Sequence, residues 1–236
     1  MSNNYFRFKR FTINQDLCAM KVGTDGVLLG AWAPGAHSIL DIGSGTGVVA
    51  LMMAQRYDDS LVTAVEMDEE ACVQAVENFT KSPFSDRLSL VRNTVQKMSQ
   101  SDEYRHVFSA IVSNPPYFSN SLKNPDKKRS LARHDYSLTL EELFTAVDAL
   151  LSHDGIFTII MPFNYQHKMI DVARRHRLYE VETCAVSTRK NKPIRRYLTS
   201  FSRQPPVSVR YEKLTLQEED NKRSQQYQNL MKDFYL

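Results

Sequence analysis

The sequence predicts an α/β fold built on a doubly wound, mostly parallel sheet, and three observations predict it. Short β-branched runs recur along the chain, segments with helical spacing separate them, and a glycine-rich turn joins the first run to the first helix that follows it. The runs are SILDI at 38–42, LVTAVE at 61–66, RLSLV at 87–91, VFSAIV at 107–112 and GIFTIIM at 155–161. Each is too short for a stable helix and rich in residues that suit a pleated surface. Between them lie VVALMMAQRY after Gly47, EEACVQAVENF from Glu69, LTLEELFTAVDALL from Leu138 and YQHKMIDVARRH from Tyr165, all with apolar residues at helical intervals. Strands alternating with helices give a sheet covered on both faces. Beyond Leu178 the rhythm changes to YEVETCAV, RRYLTSF and the extended piece VSVRYEKL, which are expected to close the sheet with an antiparallel strand. In the tail, Leu230, Met231, Phe234 and Tyr235 fit one helical face.

At 236 residues, with 42% hydrophobic and 24% charged residues, the chain suits one large domain with its own core. The expected division is residues 1–37 as a leading segment, 38–212 as the core and 213–236 as a tail helix. The cysteines Cys18, Cys72 and Cys184 are odd in number and have no CxxC company, so neither a disulfide framework nor a zinc site is indicated. No signal peptide and no membrane-length apolar stretch is found, so a cytoplasmic protein with reduced thiols is expected, with no membrane partner, no metal and a monomer as the default. The net charge of +3 is small, but it is unevenly spread: residues 186–210 carry Arg189, Lys190, Lys192, Arg195, Arg196, Arg203 and Arg210 with no acidic residue. Such a patch suits a polyanion.

In doubly wound sheets ligands sit beyond the carboxyl ends of the strands, so the strand exits are where chemistry is sought. The first exit is DIGSGTG, residues 41–47, whose alternating glycines let the backbone turn sharply into a helix N-terminus. A turn of this kind serves ordinary architecture as well as nucleotide-like ligands. The second exit, EMD, places Glu66 about 20 residues farther on, where a carboxylate can accept both hydroxyls of a ribose. Asp68, Glu69 and Glu70 suit the first turn of the next helix.

GxGxG followed by an acidic strand end resembles the class I S-adenosyl-L-methionine-dependent methyltransferases, and the resemblance runs from Ser38 to about Arg210. It implies a Rossmann-like seven-stranded sheet with an antiparallel strand near the C-terminus. It also implies that Asp41, Gly43, Ser44, Gly45 and Gly47 line the amino-acid end of the cofactor, that Glu66 and the adjoining Met67 face its ribose side, and that Asn93 after the third strand meets the adenine.

SNPPYF, residues 113–118, follows the fourth strand, and its NPPY resembles the catalytic motif of methyltransferases that modify planar amino groups. The lone pair of such a nitrogen is delocalised, so it attacks poorly until its protons are held. By this resemblance the side-chain oxygen of Asn114 and the carbonyl of Pro115 accept both N–H protons, while Asn114 also borders the cofactor. Pro115 and Pro116 stiffen the backbone, Tyr117 offers a ring on which the target base stacks, and Phe118 stacks or packs beneath it. No metal or strong general base is required.

The stretches FRFKRFTINQDLCAMKVGTDGVLLGAWAP, SLARHDYSLTLEEL and DFYL closely resemble bacterial tRNA (adenine-N6) methyltransferases that act on the adenine beside the anticodon of a valine tRNA. The substrate implied is tRNA, bound by an RNA-binding surface. Lys21, Thr24, Asp25 and Gly26 are then expected in a segment that folds over the cofactor site. Lys127, Lys128, Arg129, Arg133 and His134 after the catalytic loop, together with Arg195 and Arg196, are the candidate RNA contacts. Arg7, Lys9 and Arg10, interleaved with Phe6, Phe8 and Phe11, form a third candidate contact surface, and Trp32 reads as a packing residue. A protein-glutamine or rRNA guanine-N2 methyltransferase is the alternative reading. The glutamine enzymes resembled here carry a helical domain ahead of the core, whereas only 37 residues precede Ser38. A non-catalytic RNA-binding member is more remote, because a mere binder needs neither the glycine turn nor NPPY.

Overall fold

The computed structural model describes residues 3–116 and 138–236. The chain opens with an antiparallel ribbon of β1 (Tyr5–Arg7) and β2 (Thr12–Asn14), followed by the helix α1 (Thr24–Trp32). The five early runs become β3 (Ser38–Ile42), β4 (Leu61–Glu66), β5 (Leu88–Arg92), β6 (Phe108–Ser113) and β7 (Leu151–Pro162). The helices between and after them are α2 (Val48–Arg56), α3 (Glu69–Thr80), the short α4 (Val95–Met98), α5 (Leu140–Leu150) and α6 (Gln166–Arg175). They are followed by β8 (Tyr179–Arg189), β9 (Ile194–Ser202), β10 (Arg210–Gln217) and α7 (Gln225–Met231).

The main sheet runs β10-β8-β9-β7-β6-β3-β4-β5. β9 is antiparallel to both β7 and β8, and every other pairing is parallel. Among the described residues the sheet therefore has eight strands where seven are expected. The additional strand is β10, which lies along β8 from Arg210↔Glu182 to Gln217↔Arg189, covers an edge that would otherwise present free backbone groups and buries Leu214.

Alternation along the strands builds the two faces. Ile39, Ala110 and Val112 join a core with α1, α2, the ribbon and the tail, whereas Leu40, Ile42 and Ile111 join one with α5 and α6. Helix ends follow their local chemistry: Asp68 accepts the amide of Ala71 at 2.9 Å to cap α3, and Thr139 with Glu142 forms a capping box at α5. The three cysteines are free and buried, and burial pushes the thiols of Cys18 and Cys72 up to about 11 and that of Cys184 up to about 12.

Two expectations about the termini change. Phe8 and Phe11 are buried and Phe6 packs against the same core; Lys9 donates to the carbonyl of Lys232, and the Arg10 guanidinium lies 4.9 Å from the Phe84 ring centroid. The rings of this stretch serve packing because the ribbon buries them under the tail, while Arg7, Lys9 and Arg10 stay exposed. In the tail, α7 stops at Met231, and Phe234 and Tyr235 pack from beyond its end, not from one helical face. The amide of Lys9 donates to the Phe234 carbonyl at 2.8 Å, joining the tail to the ribbon. Trp32 is half-buried against the core and donates its indole N–H to Glu212. Among the described residues no helix is long and apolar enough to cross a membrane.

Candidate active site

β3 is the strand at which the sheet changes direction, with β4 and β5 on one side and β6 and β7 on the other. The crevice at such a point is where open α/β sheets bind ligands. The registers Ile42↔Val65, Ile42↔Ser113 and Glu66↔Arg92 bring the ends of β5, β4, β3 and β6 together. Asn93, Glu66, Gly43 and Asn114, far apart in the chain, thus leave one edge in adjacent strands.

The glycine turn is held from behind, as the amides of Gly43 and Ser44 donate to the Val65 carbonyl at 2.9 and 3.3 Å. Gly43 and Gly45 sit at φ +72° and +54°, and a Cβ built on either would meet nothing within 4 Å. These two residues combine a left-handed backbone with open space in front of it. Gly47 differs: at φ +81° a Cβ would stand 2.4 Å from Cε1 of Phe79, so this glycine allows α2 and α3 to pack closely. The Ser44 hydroxyl is buried beside the Asp41 carboxylate, whose charged form it favours, without a hydrogen bond of good geometry.

Glu66 is half-buried and locks the neighbouring exits. Its Oε2 accepts the Gly45 amide at 2.9 Å, and its Oε1 accepts the amides of Met67 and Asp68 at 2.8 and 2.9 Å. Its carbonyl accepts the Asn93 amide at 3.0 Å, while Asn93 Oδ1 accepts from the Thr94 amide at 2.9 Å. Met67 is 46% exposed at the same edge. Asp41 lies beneath the turn, not in it: it is buried, and Oδ2 accepts the Ala50 amide at 3.1 Å. Burial pushes its carboxyl up to about 7, against a smaller pull downward from Ser44 and the Ala50 amide.

At the β6 exit Asn114 is half-buried, Pro115 buried and Pro116 exposed. Ser113 immediately before donates its hydroxyl to the Ile42 carbonyl at 3.1 Å, tying this exit to the glycine turn's strand. α1 closes the site from the other side. A Cβ built on Gly26 would lie 3.8 Å from Asn114 Nδ2 and 3.5 Å from Val48 Cγ1.

Thr24, Asp25 and Gly26 form the first turn of α1, whose following apolar run is buried from Val27 to Ala31. Thr24 is exposed, Lys21 donates to the Asn3 carbonyl at 3.2 Å, and Asp25 Oδ2 accepts from Arg196 Nε at 2.8 Å. Arg196 is therefore engaged within the fold. So are Arg203 on Asp148, Arg210 on Glu182 and Arg189 on Asn221, which leaves a smaller basic patch than the sequence suggests. Arg195, Lys190 and Lys192 are exposed. Tyr117, Phe118, Lys127, Lys128, Arg129, Arg133 and His134 lie outside the described residues.

Sequence reasoning missed the Ser113 hydroxyl, the position of Gly26 behind Asn114, and Phe163 with Tyr197. The exit rule applied to GIFTIIMPF would have found Phe163.

Comparison with known proteins yields three kinds of likeness. The family model described as "Methyltransferase small domain" matches residues 23–183. A protein of Parabacteroides distasonis named tRNA1(Val) (adenine(37)-N6)-methyltransferase is 42% identical over 100% of this chain and 99% of its own length. Proteins of the same name are 44% identical in Bacteroides thetaiotaomicron, over 100% of this chain and 99% of theirs, and 41% identical in Pectobacterium carotovorum, over 98% and 93%. Among solved structures, a predicted O-methyltransferase from Agrobacterium tumefaciens superposes with TM-score 0.70 at 18% identity, over 89% of this chain and 96% of that one. At such identity the likeness is one of fold.

Proposed function

Because the chain belongs to the methyltransferase small domain family and, within it, to the bacterial tRNA1(Val) (adenine(37)-N6)-methyltransferases, we propose that it methylates the exocyclic N6 of the adenine beside the anticodon of valine tRNA. The cofactor is S-adenosyl-L-methionine, which when bound supplies an electrophilic methyl group on a sulfonium. The observation that carries the reading is the placement of Asn114 one strand from the glycine turn, fixed there by the Ser113–Ile42 hydrogen bond.

The residues present fit that cofactor. The open backbone at Gly43 and Gly45 admits a polar chain at close range, and Glu66 keeps lone pairs beside those engaged by three amides. Gly43, Ser44 and Gly45 would hold the amino-acid end, Glu66 the ribose hydroxyls, and Asn93 with Met67 the base. Asp41 and Gly47 support the turn from below.

Asn114 Oδ1 and the Pro115 carbonyl accept the two N6 protons. That withdraws the nitrogen's lone pair from conjugation, aims it, and stabilises the positive charge that develops as the bond forms. Gly26 lies beside the Asn114 amide, where a Cβ would stand 3.8 Å from Nδ2, so a larger side chain at this position would press on the amide. The protein acts in the cytoplasm, where its tRNA substrate resides.

The experiment is direct: incubate valine tRNA with enzyme and cofactor, digest it, and identify the methylated nucleoside and its position by mass spectrometry. N6-methyladenosine beside the anticodon is the expected product. A methylguanosine product, or methylated protein with unmodified tRNA, would overturn the reading.

A further inference from the structure

Phe163 follows β7 directly and is 54% exposed. Its ring stacks on that of Tyr197, with centroids 6.0 Å apart and planes 26° from parallel. The β7–β9 register explains the pairing, since Met161 lies opposite Tyr197 and Pro162 opposite Arg196. Tyr197 is half-buried and anchors the pair on a strand of the main sheet, while Phe163 leaves its other face to solvent. Arg195 is exposed at a bulge in β9, where Val186 pairs with Arg196 and Ser187 with Ile194. Arg196 points toward Asp25 of α1. Lys168, in the first turn of α6, adds a second exposed cation to this edge.

The platform lies beside the chemistry. β7 adjoins β6 with Ser113 level with Ile159, so Asn114 is level with Ile160, and Phe163 lies roughly 10 Å farther along, one strand over. That distance is on the scale of one or two extended nucleotides. Extruding a target base breaks its stack with a neighbour, and the neighbour's freed face needs a new partner. An exposed ring backed by a second ring supplies such a π-face.

We propose that Phe163, held by Tyr197, is a stacking platform for an unpaired nucleobase flanking the target adenine. The assignment rests on the reading of this chain as a tRNA adenine methyltransferase. Phe163→Ala raises KM for tRNA by about tenfold or more, while the saturating single-turnover rate stays within about twofold. Phe163→Tyr restores KM, because stacking needs a ring and not a particular one. Valine tRNAs made abasic at the nucleotide on either side of the target adenine complete the test. One of them raises the wild-type KM as Phe163→Ala does and is bound no worse by the variant. The wild-type enzyme on unmodified tRNA separates the two failures. If it transfers no methyl to N6, the parent reading falls and this one with it. If it does and Phe163→Ala leaves KM unchanged, or both abasic substrates add their penalties to that of the variant in full, the platform alone is overturned.

Discussion

Arg196 Nε donates to Asp25 Oδ2 over 2.8 Å, joining β9 to the first turn of α1, and the two side chains retain only 30% and 21% exposure. α1 is the helix that sets Gly26 near Asn114, so this ion pair ties β9 to the helix beside the β6 exit. Arg196→Ala should lower stability by about 1–3 kcal/mol, the scale for a partly buried charge left without its partner. The slope of log affinity for tRNA against log salt should stay as it is. Arg195→Ala should do the reverse, with unchanged denaturation and a slope smaller by about one. Chemical denaturation and salt-titrated tRNA binding on both variants check this.

Glu66 accepts three amides from both sides of the strand exit. Glu66→Ala should weaken S-adenosylmethionine binding by about 1–3 kcal/mol and lower the melting temperature even without cofactor. Glu66→Gln should rescue only part of the loss, because its amide NH₂ must turn toward a backbone donor. Calorimetry and thermal melts separate the two effects; unchanged affinity in Glu66→Ala would remove the residue from the site.

Asn114→Ala should reduce the single-turnover methylation rate by roughly 10²–10³, the scale for one lost electrostatic contact in a transition state, with tRNA affinity nearly unchanged. Gly26→Ala fits the space behind Asn114, where a built Cβ meets no atom closer than 3.5 Å, and should retain most of the rate. Gly26→Leu should approach the Asn114→Ala rate by displacing the amide. Rapid-quench kinetics on the three variants decide it, and a near wild-type rate for Asn114→Ala would leave NPPY a simple turn.

Burial holds the proton on the Asp41 carboxyl up to about 7 in the fold, well above the ordinary aspartate value of 3.8. The folded state therefore binds more protons than the unfolded state across that interval, and this group's contribution is most favourable below 3.8 and is lost as pH rises toward 7. Asp41→Asn removes the titration while its side-chain oxygen can still accept the Ala50 amide. The stability of the variant minus that of wild type should rise from pH 4 to 7 and level off above. A difference that is flat with pH would place the Asp41 pKa near its ordinary value.

Much of this protein was determined by the sequence alone, and local chemistry explains why. SILDI and LVTAVE became β3 and β4 with unchanged bounds, and Gly47 marked the start of α2, because β-branched runs and glycines at positive φ act within a few residues of themselves. The exits that bear the candidate site were legible for the same reason: strand, turn and helix follow one another in the chain, and the topology of a doubly wound sheet supplies the rest. What tertiary structure decided were partnerships across long sequence separations. The sequence shows Arg196 as one of seven cations; the crossing of β9 past α1, 171 residues away in the chain, pairs it with Asp25. It shows Phe8 and Phe11 as rings among charges, and only the docking of the tail over the ribbon buries them. It shows VSVRYEKL as an extended piece, and the open edge of β8 makes most of it an eighth strand. Side-chain type is local information, whereas the identity of a buried neighbour is settled by the packing of the whole sheet, where a charge or a ring takes whichever partner spares it the cost of standing desolvated and unmatched.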